Sequence, residues 1–196
     1  VGLGGYTSIV TNNGLYLSES EGTRIVTGNT FTVAVGIKKF IEAIKNNEYF
    51  NLSDLTLGVV GAFGNIGSAI ARGLLDYIDL FKKIYLISKE EKSKNHPVIK
   101  ELNTIIKAKE IENKVAIHIE NDLFILKKCN VISIAINTND PIVFPHHLDN
   151  QNKILISDLS VPSALSPQIN TMANVTLIPF SSYIVLPDDS DYNFGR

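Results

Sequence analysis

Tryptophan is absent from this chain, and cysteine and methionine occur once each. A lone Cys129 excludes an internal disulfide framework and any zinc site built from several thiolates, and a reducing cytoplasm is the compartment such usage suggests. Charge of one sign is missing too. The net charge of −2 at pH 7 supplies no global field toward nucleic acid or an anionic membrane, so neither is expected as a partner. No apolar run approaches the roughly 18 residues that a membrane span requires, and the chain does not open on a secretory signal pattern. Gly-x-Ser-x-Gly, HExxH and the lysine P-loop do not occur, nor does an internal repeat or a low-complexity tract. His146 and His147 are adjacent, a spacing that sends two side chains in different directions, and no cysteine or well-spaced carboxylate joins them. No metal site is expected.

What is present is a strand, a glycine turn and a helix in succession. Leu55-Thr56-Leu57-Gly58-Val59-Val60 is a short apolar run of the kind found in buried parallel strands, and Ile66, Ile70, Leu74 and Ile78 then recur at helical spacing. Between them lies Gly61-Ala62-Phe63-Gly64-Asn65-Ile66-Gly67, a G-x-x-G-x-x-G variant of the dinucleotide-binding fingerprint. Gly61 is placed for a tight exit from the strand, Gly64 for close approach of a pyrophosphate, and Gly67 for close packing of the helix. The free amides of the helix start would hold the phosphates. About 20 residues on, where an NAD site usually offers an acid to the ribose, the second strand ends in Ser88-Lys89, and Glu90 falls one residue late. A hydroxyl and a cation there suit a 2′-phosphate, so the expected cofactor is NADP(H). The alternative readings are a glycine-rich turn that holds nothing and a lysine in a solvated loop.

A chain of 196 residues can bury a sizeable core. Residues 1–30 are rich in Gly, Thr, Ser and Asn and read as a substrate-side segment, with Tyr6, Thr7, Ser8, Gly28 and Thr30 turned to a cleft, or else as a poorly ordered terminus. Residues 31–50 read as a connecting helix with Val33, Ile37, Phe40, Ile41 and Ile44 on its apolar stripe and Thr27, Asn29 or Thr30 as its cap. Residues 51–196 read as the NADP-binding domain. Further strands are expected at 84–87, 115–119, 131–136, 153–157 and 175–178, a helix entered at Pro97, and a short helix capped by Asn121-Asp122. That alternation predicts an α/β, Rossmann-like, doubly wound and mainly parallel sheet of about six strands. Ligands in such sheets lie beyond the carboxyl ends of the strands, which puts Asn137 and Thr138 near the nicotinamide ribose and Asp158 to Ser160 near the reacting end. Cys129 precedes its strand and reads as structural. The ends, Val1-Gly2-Leu3 and Phe194-Gly195-Arg196, suggest a piece of a longer chain with other domains.

Three motifs in order, Leu3-Gly4-Gly5-Tyr6-Thr7-Ser8-Ile9-Val10, Thr27-Gly28-Asn29-Thr30-Phe31-Thr32 and Val59 to Ala69, resemble the central part of the long-chain acyl-[acyl-carrier-protein] reductases. The resemblance is strong to about residue 90. It implies NADPH-dependent reduction of a fatty acyl thioester to an aldehyde, with acyl carrier protein or acyl-CoA as the substrate-bearing partner. It also implies that Gly61 to Gly67 hold the pyrophosphate, that Lys89 takes the place of a basic NADPH residue, and that the segments around Tyr6 and Thr27 line the cleft. The chain departs from that family in lacking its N-terminal acyl-binding region, its C-terminal segment and the cysteine nucleophile expected within 179–188. Three functions follow as expectations. One is thioester or carbonyl reduction, with Thr27, Asn29 or Ser160 as donors to a developing oxyanion. Another is a shikimate-like dehydrogenase of a small polar substrate, for which residues 1–30 lack the usual Lys and Asp. The last is a non-catalytic NADP(H)-binding module.

Overall fold

The computed structural model describes residues 2–3, 26–52, 54–90, 96–110 and 115–179. The chain begins with β1 (Gly2–Leu3), which pairs in parallel with β2 (Val26–Thr27) in a two-stranded sheet of its own. Helix α1 (Asn29–Lys45) follows. Then come β3 (Leu55–Val60), α2 (Asn65–Leu74), β4 (Phe81–Ile87), α3 (Pro97–Ala108), β5 (Ala116–Glu120), β6 (Val131–Ile134), β7 (Ile154–Asp158) and β8 (Val175–Ile178). These last six strands form one sheet in the order β5-β4-β3-β6-β7-β8, every pair parallel. Counted from β3, the order is 3-2-1-4-5-6, the arrangement of a doubly wound Rossmann-like sheet. The order reverses between β3 and β6, and any ligand crevice belongs at their carboxyl ends.

Parallel strands covered on both faces are predominantly apolar, and the three central strands β3, β6 and β7 are: Leu57, Val59, Val60, Ile132, Ile134, Leu155 and Ile156 are all buried, whereas the edge strands β5 and β8 are not. On one face Leu57, Val59 and Leu155 pack with Phe40, Ile41 and Ile44 of α1 and Ile70 and Leu74 of α2. On the other, Val60, Ile87, Ile132 and Ile156 pack with Leu126, Leu148 and Ile169. Each such side chain removed from water contributes about 1.5–3 kcal/mol. The two faces differ in kind. The first carries full helices, whereas the second is covered by 3₁₀ turns at Leu123–Lys128, Pro145–His147 and Pro167–Thr171.

Several boundaries differ from the pattern in the sequence. Helix α1 starts at Asn29 rather than 31 and stops at Lys45; its cap position is Gly28, which makes no side-chain bond, and the expected caps Asn29 and Thr30 lie inside the first turn instead. The run predicted to continue through Ile78 leaves the α-helix at Leu74 and tightens to a 3₁₀ segment over Leu75–Leu80, with Tyr77 at φ −117° and ψ 28°. Ile78 stays buried across that change, which is why the apolar spacing looked continuous. Strand β5 is shifted by one residue to Ala116–Glu120, and β6 ends two residues before Ile136. Pro97 does open α3, and Asp122 does cap the Leu123–Lys128 turn, its Oδ1 accepting from the Phe124 amide at 2.9 Å. Among the described residues no helix is long and apolar enough to cross a membrane.

Cys129 sits at the amino end of β6, away from the carboxyl ends where ligands bind. A Cβ on Gly58 of β3 would meet its Sγ at 3.0 Å, so the glycine makes space for the thiol. Burial pushes the thiol up to about 12, with Lys128 opposing only weakly. A thiolate is the reactive form, so this cysteine is inert in the native state. We expect a thiol reagent at pH 8 to leave the folded protein unlabelled and to modify one site per chain once denaturant is added; rapid labelling of native protein would contradict the packing.

Candidate functional site

The turn that joins β3 to α2 is built from its three glycines, and each meets a different constraint. Gly61 has φ +80°, a conformation side chains disfavour, and a Cβ there would collide with the Ala135 carbonyl oxygen and approach Ile136 Cγ2 at 2.5 Å. Its amide, with that of Ala62, donates to the Ile87 carbonyl of β4 at 3.0 and 3.3 Å. Gly67 lies on the other side of the same peptide, where a Cβ would collide with the Gly61 carbonyl oxygen and lie 2.7 Å from its carbon. Gly67 thus packs on the turn itself rather than on the sheet. Gly64 is unlike both, because a Cβ there meets only the Gly61 oxygen, at an ordinary 3.4 Å. Gly64 also caps α2 with extended backbone and no side-chain bond, and it and Asn65 are exposed.

A cleft of about 600 Å³ opens at this turn, lined by Val60, Gly61, Phe63, Gly64, Ile87, Ser88, Lys89, Asn121, Leu123, Ile136, Asn137, Thr138 and Ile142. It lies at the carboxyl ends of β3, β4, β5 and β6, at the point where the strand order reverses. Its size is within the range of small-ligand sites, and most of its lining is apolar. Lys89 is exposed at the rim and Ser88 half-buried beside it. The Ser88 amide donates to the Glu120 carbonyl at 3.0 Å, fixing this wall to the end of β5. Phe63 packs edge-on against His96 at 5.1 Å, and His96 Nδ1 accepts from the Val98 amide to start α3.

Of the residues singled out in the sequence, Gly61, Phe63, Gly64, Ser88, Lys89, Asn137 and Thr138 line this cleft. Ala62 is fully buried in the core instead, and Asn65 and Ile66 belong to the first turn of α2 outside the lining. Asp158 and Ser160 do not line it either. The Asp158 carboxylate accepts from the Ser160 amide (3.0 Å), the Ser163 hydroxyl (2.7 Å) and the Ala164 amide (2.9 Å), and Ser160 Oγ accepts from the Ile136 amide at 3.2 Å. Thr27 ends β2, and its side chain lies outside what the structure describes; Gly28 and Thr30 are exposed, Asn29 is half-buried at the start of α1, and these three are not part of the cleft lining. Tyr6, Thr7, Ser8 and the stretch 180–188 lie outside the described residues.

The sequence reading missed Asn121, Leu123, Ile136 and Ile142. Asn121 directly follows β5, so the rule that ligands sit at strand carboxyl ends could have found it. Ile142 reaches the cleft only because the chain after β6 doubles back, which no local pattern records. The histidine pair corrects a second expectation. The tight Pro145–His147 turn brings the two rings to 4.1 Å, against Phe124 and Phe144, and His147 Nδ1 accepts from the Phe144 amide. Burial, and then the neighbouring His146, lower the His147 pKa below the usual 6.5. Among the described residues no group of three His, Cys, Asp or Glu side chains is placed to hold a metal.

The glycine geometry separates folding from binding. Gly67→Ala and Gly61→Ala must displace backbone, so each should destabilise by about 1–3 kcal/mol and lower Tm by several degrees in thermal unfolding. Gly64→Ala should leave Tm within about 2 °C of the parent, because a substitution without clashes changes stability by roughly 0.5 kcal/mol. Three equal losses of Tm would refute this division.

No protein-family model matches the chain, and no curated protein matches it. Solved structures do, over part of their length. The iminosuccinate reductase of Paracoccus denitrificans in complex with NAD+ matches with a TM-score of 0.46 and 15% identity, over 71% of this chain and 40% of that one. A Δ1-pyrroline-2-carboxylate reductase of Thermococcus litoralis in complex with NADH and L-proline matches with a TM-score of 0.43 and 13% identity, over 70% and 39%. CmnK matches with a TM-score of 0.42 and 9% identity, over 74% and 39%. The chain spans about two fifths of the length of each of these structures.

Proposed function

We propose that the cleft holds NADP(H) and that the chain is the coenzyme-binding part of a reductase that converts an acyl thioester, carried on acyl carrier protein or coenzyme A, to an aldehyde. The observation that carries the coenzyme half is the division of labour among the glycines. Two are required by the fold, whereas Gly64 is exposed and has room around its α-carbon at the start of α2, where a pyrophosphate would come close to the backbone. Lys89 and Ser88 stand at the end of β4, where the ribose of a dinucleotide lies. An ammonium and a hydroxyl there favour an added 2′-phosphate, and neither serves as the acid that a ribose diol prefers. The apolar side chains of Leu123, Ile136 and Ile142 offer the cleft's apolar contact to a purine ring. When bound, the nicotinamide supplies the hydride, and the protein's task is to orient that ring and exclude water from it.

The acyl half rests on the resemblance of residues 3–10, 27–32 and 59–69 to the acyl-[acyl-carrier-protein] reductases. The chain's own cysteine has no part in such chemistry, since Cys129 is buried, raised to about 12 and at the far end of β6. Hydride transfer to the carbonyl is therefore direct, or the nucleophile comes from another domain. That same burial favours a second reading, in which the chain binds NADP(H) without chemistry of its own.

Titration by fluorescence should give tighter binding of NADPH than of NADH. Lys89→Glu should weaken NADPH about 10- to 100-fold, as expected when one charge-assisted bond worth about 1.5–3 kcal/mol becomes a repulsion, and should invert the preference. Equal affinities would end the NADP(H) assignment. Oxidation of NADPH on adding acyl-carrier or acyl-CoA thioesters supports the reductase; absorbance that stays flat with thioesters, aldehydes and small hydroxy acids supports the binding module.

A further inference from the structure

The wall of the cleft formed by Ile136, Asn137, Thr138 and Ile142 is not part of any strand. The chain leaves β6 at Ile134 and returns at Val143, which bridges to Leu165. Such a span needs attachment at both ends to keep a shape. At its start, the Ile136 amide donates to Ser160 Oγ at 3.2 Å. At its end, the amides of Ile142 and Val143 donate to the Ala164 carbonyl at 2.9 and 3.0 Å. Both anchors, Ser160 and Ala164, are held by one side chain. Asp158 Oδ1 accepts from the Ser160 amide at 3.0 Å, and Oδ2 from the Ala164 amide at 2.9 Å and the Ser163 hydroxyl at 2.7 Å. Within the span, Thr138 Oγ1 closes a small turn on the Asp140 carbonyl. Ser160 is itself buried, so water does not readily replace its bond.

We infer that Asp158 and Ser160 are positioning residues for the coenzyme cleft: the carboxylate folds residues 158–164 into a clamp whose two jaws hold the Ile136–Ile142 wall. This rests on the coenzyme reading of the cleft for its functional half. The opposite wall, Ser88-Lys89, hangs from β5 through Glu120 and is independent of the clamp. Loosening the clamp therefore weakens every dinucleotide alike, whereas changing Lys89 alters the choice between them.

The test uses Ser160→Ala, which removes one jaw, Asp158→Ala, which removes the carboxylate that holds both, and Ser160→Thr, which keeps the hydroxyl. Amide hydrogen exchange of the ligand-free proteins should show exchange at Ile136 accelerated at least tenfold in Ser160→Ala, at Ile136, Ile142 and Val143 in Asp158→Ala, and restored in Ser160→Thr. The amides of β3 and β4 should keep their protection. NADPH and NADH should both bind about tenfold more weakly to Ser160→Ala, with their ratio unchanged. Parental exchange at Ile136 in Ser160→Ala, or loss of protection throughout the sheet, would overturn the clamp. An altered NADPH to NADH ratio would overturn the independence of the two walls. A parent protein that binds neither dinucleotide would instead overturn the coenzyme reading, and the exchange data, taken without ligand, tell these failures apart.

Discussion

A single peptide plane at Gly61 constrains the rest of this molecule. The carbonyl of that residue faces Gly67 of α2, and its α-carbon faces the Ala135 carbonyl and Ile136 beyond β6. Its amide is tied to Ile87 of β4. The exits of three strands and the start of a helix thus converge on one point too tight for a methyl group. Because the Ala135 backbone and the Ile136 side chain crowd it from one side and the backbone of α2 from the other, little can give way cheaply. The cleft lies beside this point because the strand order reverses there, between β3 and β6.

The two sides of the cleft are held by different means. On the β4–β5 side, the wall is an extension of the sheet, and the hydrogen bond from Ser88 to Glu120 continues the ladder past the last paired residues. On the β6–β7 side, the ladder stops at the pairing of Ile134 with Asp158, and the loop beyond is held by backbone bonds to Ala164 together with the side chains of Asp158 and Ser160. A carboxylate with three donors is suited to this task, since charge-assisted bonds are stronger than neutral ones and a carboxylate offers enough lone pairs to serve several loop groups at once. The helix-poor coverage of that face accompanies the change. With 3₁₀ turns in place of crossover helices, loops rather than helix starts approach the crevice.

Much of this was legible because it follows from local rules. Short apolar runs read as strands, and Leu55 to Val60 in the sheet interior and Val175 to Ile178 at its edge begin and end where their composition says. Pro97 and Asp122 mark element starts through bonds that reach only two or three residues. The length of α1, the change to 3₁₀ after Leu74 and the early end of β6 were not legible, since each depends on what the backbone meets across the fold. Asp158 shows the same limit. An aspartate at the carboxyl end of a Rossmann strand reads as a ligand group, and only the return of Ser160, Ser163 and Ala164 onto it reveals that its oxygens serve the loop.

The sequence by itself determined the class of the fold, the order strand–glycine turn–helix, the position of Ser88-Lys89 after the second strand of the large sheet, and the exclusion of disulfide scaffolding. Those follow from hydrophobic period and from the conformations open to glycine, which are properties of a few neighbouring residues. Tertiary structure alone decided which glycine is free to face a ligand, that Leu123 and Ile142 join the cleft, and that Asp158 and Ser160 stand behind its wall instead of within it. The reason is steric and electrostatic: whether a Cβ fits, or a carboxylate is already satisfied, depends on atoms far away in the chain that only folding brings within hydrogen-bonding and van der Waals range.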